Sequence, residues 1–197
     1  MIYDISQPVF GCAVYPGDPS PEKTTLSRLE DGEVCNLSAF SMCAHNGTHV
    51  DAPLHFLQGG KGVGSVALAK FVGPAYVCSM KGDIGAEEAG KLLETAAEAC
   101  SGAERRILIK GNATVTLEAA EVFAKAGIDL IGSESQTVGP ENAPMAVHLV
   151  LLSAEVVLLE GIRLSAVPDG AYLLNCAPLN LGETDGAPCR AILMDLN

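Results

Sequence analysis

Basic side chains are scarce in this chain. It carries 12 Lys and Arg against 24 Asp and Glu, a formal net charge of −12 over 197 residues. No basic run exceeds the pair Arg105–Arg106. A surface of that sign repels phosphate backbones, which argues against a nucleic-acid partner. Long hydrophobic runs are missing as well, and none reaches the length that spans a bilayer. The opening MIYDISQPVF has neither the basic segment nor the apolar core of a secretory signal. No membrane partner and a cytoplasmic location are therefore expected. The 7 cysteines never form C-x-x-C, and a dispersed odd number points to reduced, buried thiols. Cys43, two residues before His45, is the one candidate thiol nucleophile, because such a group needs a nearby base. Two signatures are absent. Lys61 is followed by glycine, so LQGGKGVGS (57–65) lacks the Walker spacing and reads as a flexible surface loop. No G-x-S-x-G nucleophile elbow occurs.

What is present suits a folded core. Hydrophobic residues make up 48% and charged residues 18%, and the length suits one domain over 1–197. The first third reads as strand and loop: IYDIS as a strand, VYPGDPSPEK as a proline-rich loop, and Val34 to Ala44 as extended. The remainder alternates. Strands are expected at 75–80, 105–110, 128–132, 156–161, 171–179 and 189–196. Helices are expected at 86–99, with an acidic first turn, at 116–127, with Thr116 as N-cap and Gly127 as stop, and at 143–155, with Pro144 at its start. This order predicts an α/β domain with a mixed sheet.

Histidine is rare too, yet 3 of the 4 histidines fall in AHNGTHVDAPLHF (44–56). Gly47, Thr48, Val50 and Pro53 disfavour a helix there. On an extended strand His45, His49, Asp51 and His55 share one parity and hence one face. A straight strand would hold His45 and His49 about 13 Å apart, too far for one ion, so Gly47 is expected to bend the chain and Pro53 to aim His55 back. Imidazole and carboxylate donors suit zinc first, with manganese or iron next, and Asp51 has two oxygens with which to bridge two ions. His148 lies in the apolar helix PMAVHLVLL and Glu160 ends the apolar run VVLLE. Both positions are costly without partners, and both are explained if they complete the same site.

The stretch HNGTHVDAPLHF resembles the H-x-G-T-H-x-D-x-P-x-H-F signature of the cyclase-like metal-dependent hydrolases, of which bacterial kynurenine formamidase (an arylformamidase) is the best-known member. YDISQPV, YPGDP, the pair His148 and Glu160, and APLNLGETDGAPCRAIL resemble further parts of that family. The resemblance implies that His45, His49 and Asp51 hold one zinc and that Asp51, His148 and Glu160 hold a second, with manganese as the alternative ion. It further implies His55 as a non-ligand acid/base, a swivelling β/β/α-type cyclase fold, and a homodimer or homotetramer. The expected activity is hydrolysis of a small-molecule amide of the N-formyl arylamine class by metal-activated water. A cyclic amide, an ester, or a non-catalytic binding module are the alternatives. Three segments depart from the family pattern: Lys110-Gly111-Asn112, the run SESQTVGPEN that starts at Ser133 and includes Gln136, and Tyr15, where formamidases often carry tryptophan. These are expected to shape the substrate pocket, with Tyr15 a candidate substrate contact.

Overall fold

The helices begin and end at residues whose chemistry favours it. In the computed structural model, which describes residues 1–196, α1 covers Ala86–Ala99, α2 Leu117–Ala126 and α3 Met145–Ser153. Glu87 and Glu88 occupy the first turn of α1, and the Gly85 N–H donates to Glu88 Oε2 at 3.1 Å. Thr116 Oγ1 accepts from the Ala119 N–H at 3.3 Å, and Gly127 closes α2 in the left-handed region at φ 66°. α3 follows Pro144 and is two residues shorter at each end than expected. No helix among the described residues is long and apolar enough to cross a membrane.

The strands, in chain order, are β1 (Ile2–Asp4), β2 (Glu22–Ser27), β3 (Leu37–Ser41), β4 (His49–Asp51), β5 (Val72–Ser79), β6 (Gly82–Ile84), β7 (Arg106–Lys110), β8 (Ala113–Val115), β9 (Leu130–Ser133), β10 (Val157–Glu160), β11 (Gly170–Asn175), β12 (Gly186–Pro188) and β13 (Ile192–Asp195). Nine of them form one sheet in the order β1-β13-β11-β5-β7-β9-β10-β4-β12. The central four, β5, β7, β9 and β10, run parallel, and the flanking pairings are antiparallel. The sheet is thus mixed, as expected of the α/β pattern. β2 pairs with β3 as a separate exposed hairpin, and β6 with β8 as a short parallel ribbon.

Side-chain alternation divides the core in two. Ile107, Ile109, Ile131 and Leu158 face the three helices and pack with Ala89, Phe123 and Leu151. Leu108, Leu130, Val157 and Leu159 face the other way. That second cluster takes Leu174 and Leu193 from one end of the sheet and Val50 and Ala187 from the other, so the sheet curls around it. The stretch 57–65 departs from a free surface loop, because Gly62 and Val63 are buried. A side chain on Gly62 would collide with the Glu183 backbone at 2.5 Å, so the loop lies against the C-terminal segment and glycine permits the approach.

Candidate metal centre

The parity that sends Val50 into the second core sends its neighbours His49 and Asp51 to the helix side. β4 pairs with β10 so that Glu160 stands opposite His49 and Leu158 opposite Asp51. Leu158 is on the helix side, and Glu160, two residues on, shares that face. His148 reaches the same place from α3. One register therefore gathers residues more than a hundred positions apart at the carboxyl ends of the parallel strands, where open α/β sheets place their ligands. His45 and His55 arrive differently from a continuous strand. Gly47 turns the chain at φ 64°, and His55 ends a short 3₁₀ turn, Pro53–His55.

The resulting cluster is buried and acidic. His49 Nε2 lies 3.4 Å from Asp51 Oδ1 and 3.5 Å from Glu160 Oε2. His148 Nε2 lies 3.6 Å from Asp51 Oδ2 and 3.2 Å from Glu160 Oε1. Both imidazoles are oriented from behind: His49 Nδ1 is 3.0 Å from the Gly47 carbonyl and His148 Nδ1 is 3.0 Å from the Pro144 carbonyl. A ring N–H donated to a carbonyl directs the other nitrogen at the carboxylates, the arrangement that prepares histidine for a metal. The Val138 N–H donates to Glu160 Oε1 at 2.8 Å and fixes that carboxylate.

On the open side, His45 Nδ1 is 2.8 Å from Asp51 Oδ1, and its Nε2 is 2.8 Å from Asp185 Oδ2. The same Asp185 oxygen is 3.3 Å from His55 Nδ1, and the His45 and His55 rings stack with centroids 4.0 Å apart. Candidate ligand atoms fall into two groups that share Asp51: His45, Asp51 and His55, and His49, Asp51 and Glu160.

Titration behaviour follows from these contacts. Burial disfavours a charged His49, but Asp51 and Glu160 outweigh it and push its pKa up to about 10. His148 is held up to about 10 against burial by the same two carboxylates. Burial would raise Asp51, yet the facing His148, His45 and His49 hold it well below the usual carboxylate range. His55 is the exception, since burial dominates and lowers it. The pocket thus demands positive charge beside Asp51. Two buried atoms of this cluster, His49 Nε2 and Asp51 Oδ2, have no hydrogen-bond partner among the described residues. Opposed lone pairs of this kind are the donor set a divalent cation completes, and the residues fit one.

A cavity of about 430 Å³ opens over the cluster and is lined further by Tyr15, Asp18, Cys43, Phe56, Gln136 and Thr137. The Tyr15 hydroxyl donates to the Glu141 carbonyl at 3.4 Å. The Cys43 thiol, 3.6 Å from Asp18 Oδ2, is pushed up by burial, so it is a poor nucleophile. All five residues expected to bind metal, and His55, converge here. Asp185 is the residue sequence reasoning missed, and its only signal is its place inside the C-terminal stretch APLNLGETDGAPCRAIL.

Solved structures share this arrangement of elements, and proteins of similar sequence are known. The profile of the family described as "Cyclase: Putative cyclase" matches residues 3–140. The chain is 34% identical to the kynurenine formamidase of Salinibacter ruber, over 98% of this chain and 97% of that protein. It is also 34% identical to the kynurenine formamidase of Bacillus cytotoxicus, over 98% and 97%. Among solved structures, a potential metal-dependent hydrolase with cyclase activity superposes with a TM-score of 0.83 at 29% identity, covering 100% of this chain and 98% of the other. An isatin hydrolase from Labrenzia aggregata superposes with a TM-score of 0.81 over 100% of this chain and 94% of its own, but at 19% identity it speaks for the fold alone.

Proposed function

The chain belongs to the Cyclase family, and on that premise we propose that it is a metal-dependent amidohydrolase that cleaves a small N-formyl arylamine of the N-formylkynurenine class. The observation that carries this reading is the shared carboxylate: Asp51 faces His45 and His49 through Oδ1 and His148 through Oδ2, with Oδ2 and His49 Nε2 left without a hydrogen-bond partner among the described residues. His45, His49 and Asp51 would hold one ion, and Asp51, His148 and Glu160 a second. Their nitrogen and oxygen donors fit zinc, with manganese as the alternative. When bound, a divalent cation supplies Lewis acidity, which draws charge from a carbonyl oxygen and makes water acidic near neutral pH.

The chain's own residues supply the rest. His55, kept neutral by burial and held by Asp185, would take a proton from attacking water and return it to the leaving nitrogen. The carbonyls of Gly47 and Pro144 keep His49 and His148 in the ligand tautomer. Tyr15 and Phe56 line the cavity and would flank a planar substrate. We read residues 1–197 as one domain. Leu26, Leu29, Val34, Leu37 and Phe40 are exposed on β2, β3 and their connection, which favours assembly as a homodimer or homotetramer. The test is hydrolysis of N-formylkynurenine by metal-stripped protein and by protein reloaded with zinc or manganese. Turnover that returns with metal is expected. Full metal loading with no turnover refutes the reading.

A further inference from the structure

Asp185 touches two histidines with one oxygen. Its backbone is tied to β4: the Ala52 N–H donates to the Asp185 carbonyl at 2.9 Å, and Gly186 stands opposite Asp51. The lack of a side chain on Gly186 leaves room for the His45 ring, since a methyl group there would fall 2.8 Å from His45 Cε1. The ring lies between two carboxylates. Its Nδ1 is 2.8 Å from Asp51 Oδ1 and its Nε2 is 2.8 Å from Asp185 Oδ2. His55, stacked on the same ring, sets its Nδ1 3.3 Å from that Asp185 oxygen.

The two nitrogens of His45 are not equivalent. Asp51 Oδ1 is also 3.4 Å from His49 Nε2, so an ion shared by His45, His49 and Asp51 would meet His45 at Nδ1. A metal takes the bare nitrogen of an imidazole and leaves the hydrogen on the other. On His45 that hydrogen belongs to Nε2, facing Asp185. His49 and His148 have the reverse arrangement, with Nδ1 at a neutral carbonyl and Nε2 at the carboxylates. A carboxylate is the stronger acceptor, because a charge-assisted hydrogen bond is roughly twice as strong as a neutral one. Resting on the metal-dependent hydrolase reading above, we propose that Asp185 is a positioning residue that fixes both stacked rings. It accepts from His45 Nε2–H, which frees Nδ1 for the first ion, and from His55 Nδ1–H, which frees Nε2 as the base. The two ions are then held unequally: the one on His45 depends on a carboxylate behind its ligand, and the one on His148 does not.

The Asp185 side chain is 44% exposed and belongs to neither core cluster, so replacing it leaves the core intact. The experiment titrates zinc into metal-stripped wild type, Asp185→Asn and Asp185→Ala. Nitrogen NMR signals of the rings follow the two ions separately, His45 reporting the first and His148 the second. Zinc-loaded wild type should show His45 coordinated through Nδ1 with its hydrogen on Nε2, and His55 with its hydrogen on Nδ1. In both variants zinc affinity at His45 should fall about 10–100-fold, the range for losing the hydrogen-bond partner of a ligand, while affinity at His148 changes by less than about threefold. Zinc bound through His45 Nε2, zinc that does not touch His45, unchanged affinity there in both variants, or an equal loss at both ions overturns the inference. Absence of the first ion from the variants even at saturating zinc also overturns it, since Asp185 would then be a ligand. Wild type that hydrolyses N-formylkynurenine alongside any of these results leaves the hydrolase reading standing. Wild type that takes up no zinc overturns both together.

Discussion

Gly186 offers a sharp test of how tightly the fold holds the site. It pairs with Asp51 across β12 and β4. A methyl group in its place would fall 2.7 Å from the Val50 carbonyl oxygen and 2.8 Å from His45 Cε1. Comfortable contacts between carbon atoms lie near 3.5–4.0 Å, so about 1 Å must be recovered by moving something. Val50 is fully buried and its strand is paired on both sides, so β4 resists the shift and part of it passes to His45. Overpacking of this kind costs about 1–3 kcal/mol. At roughly 2–4 °C per kcal/mol for a chain of this size, Gly186→Ala should lower Tm by about 2–12 °C. A misplacement near 1 Å at a reacting site can also reduce turnover by about 100-fold. Thermal unfolding followed by circular dichroism, on metal-stripped and metal-loaded protein, reads the first effect. kcat/KM on N-formylkynurenine reads the second. A variant with the Tm and turnover of wild type would show that β12 does not confine β4 and His45, and the steric account would be wrong.

Other outcomes follow from the same geometry. His55→Ala should lower kcat by about 10²–10⁴-fold, the range for losing a general acid/base, with metal content by elemental analysis unchanged; loss of one ion would instead make His55 a ligand, as its place beside His45 and Asp51 would permit. Asp185→Asn removes a carboxylate that favours the protonated form of His55, so the acid limb of the pH–rate profile should move to lower pH, and an upward shift would contradict this. The folded protein raises His49 and His148 to about 10 from an ordinary 6.5, so their stabilising contribution is complete below pH 6.5 and is lost as pH climbs through 10. Metal-stripped protein should therefore lose Tm between pH 7 and 10. Zinc must displace those protons, so its affinity should tighten by up to about tenfold per pH unit for each proton released, measured by calorimetry in buffers of different ionisation enthalpy. Binding that releases no protons would contradict the assigned contacts.

Much of the fold was legible where local chemistry and tertiary structure agree. α1 spans the residues expected of it, and Thr116 and Gly127 bound α2 because cap chemistry is local. The strands of the parallel centre were legible as apolar runs, but their order was not. Nothing within VVLLE says that it lies between β9 and a three-residue β4. The three-residue strands β6, β8 and β12 are too short to show a period, and they exist through pairing with equally short partners, β6 with β8 and β12 with β4. The strand parity suggested for residues 45–55 holds for His49 and Asp51 alone, because only those two lie in β4.

The site residues divide along a related line. His148 inside an apolar helix and Glu160 at the end of an apolar strand violate their surroundings, and a buried polar group without a partner is costly enough that the violation itself points to a site. Asp185 and Gln136 violate nothing. An aspartate before Gly186 reads as a turn, and a glutamine among Ser, Thr and Gly reads as a loop. Asp185 matters through its contacts with His45 and His55, and Gln136 through its place in the cavity wall, and both depend on the packing around β4 and β10 rather than on their own neighbours in the chain. Ligands that conflict with the local pattern are therefore readable before folding, whereas residues that orient the ligands or line the cavity emerge only once register is fixed. The distinction bears on specificity: the candidate ligands lie in segments that resemble other members of the family, and two residues of the cavity wall, Tyr15 and Gln136, lie in the segments that depart from them.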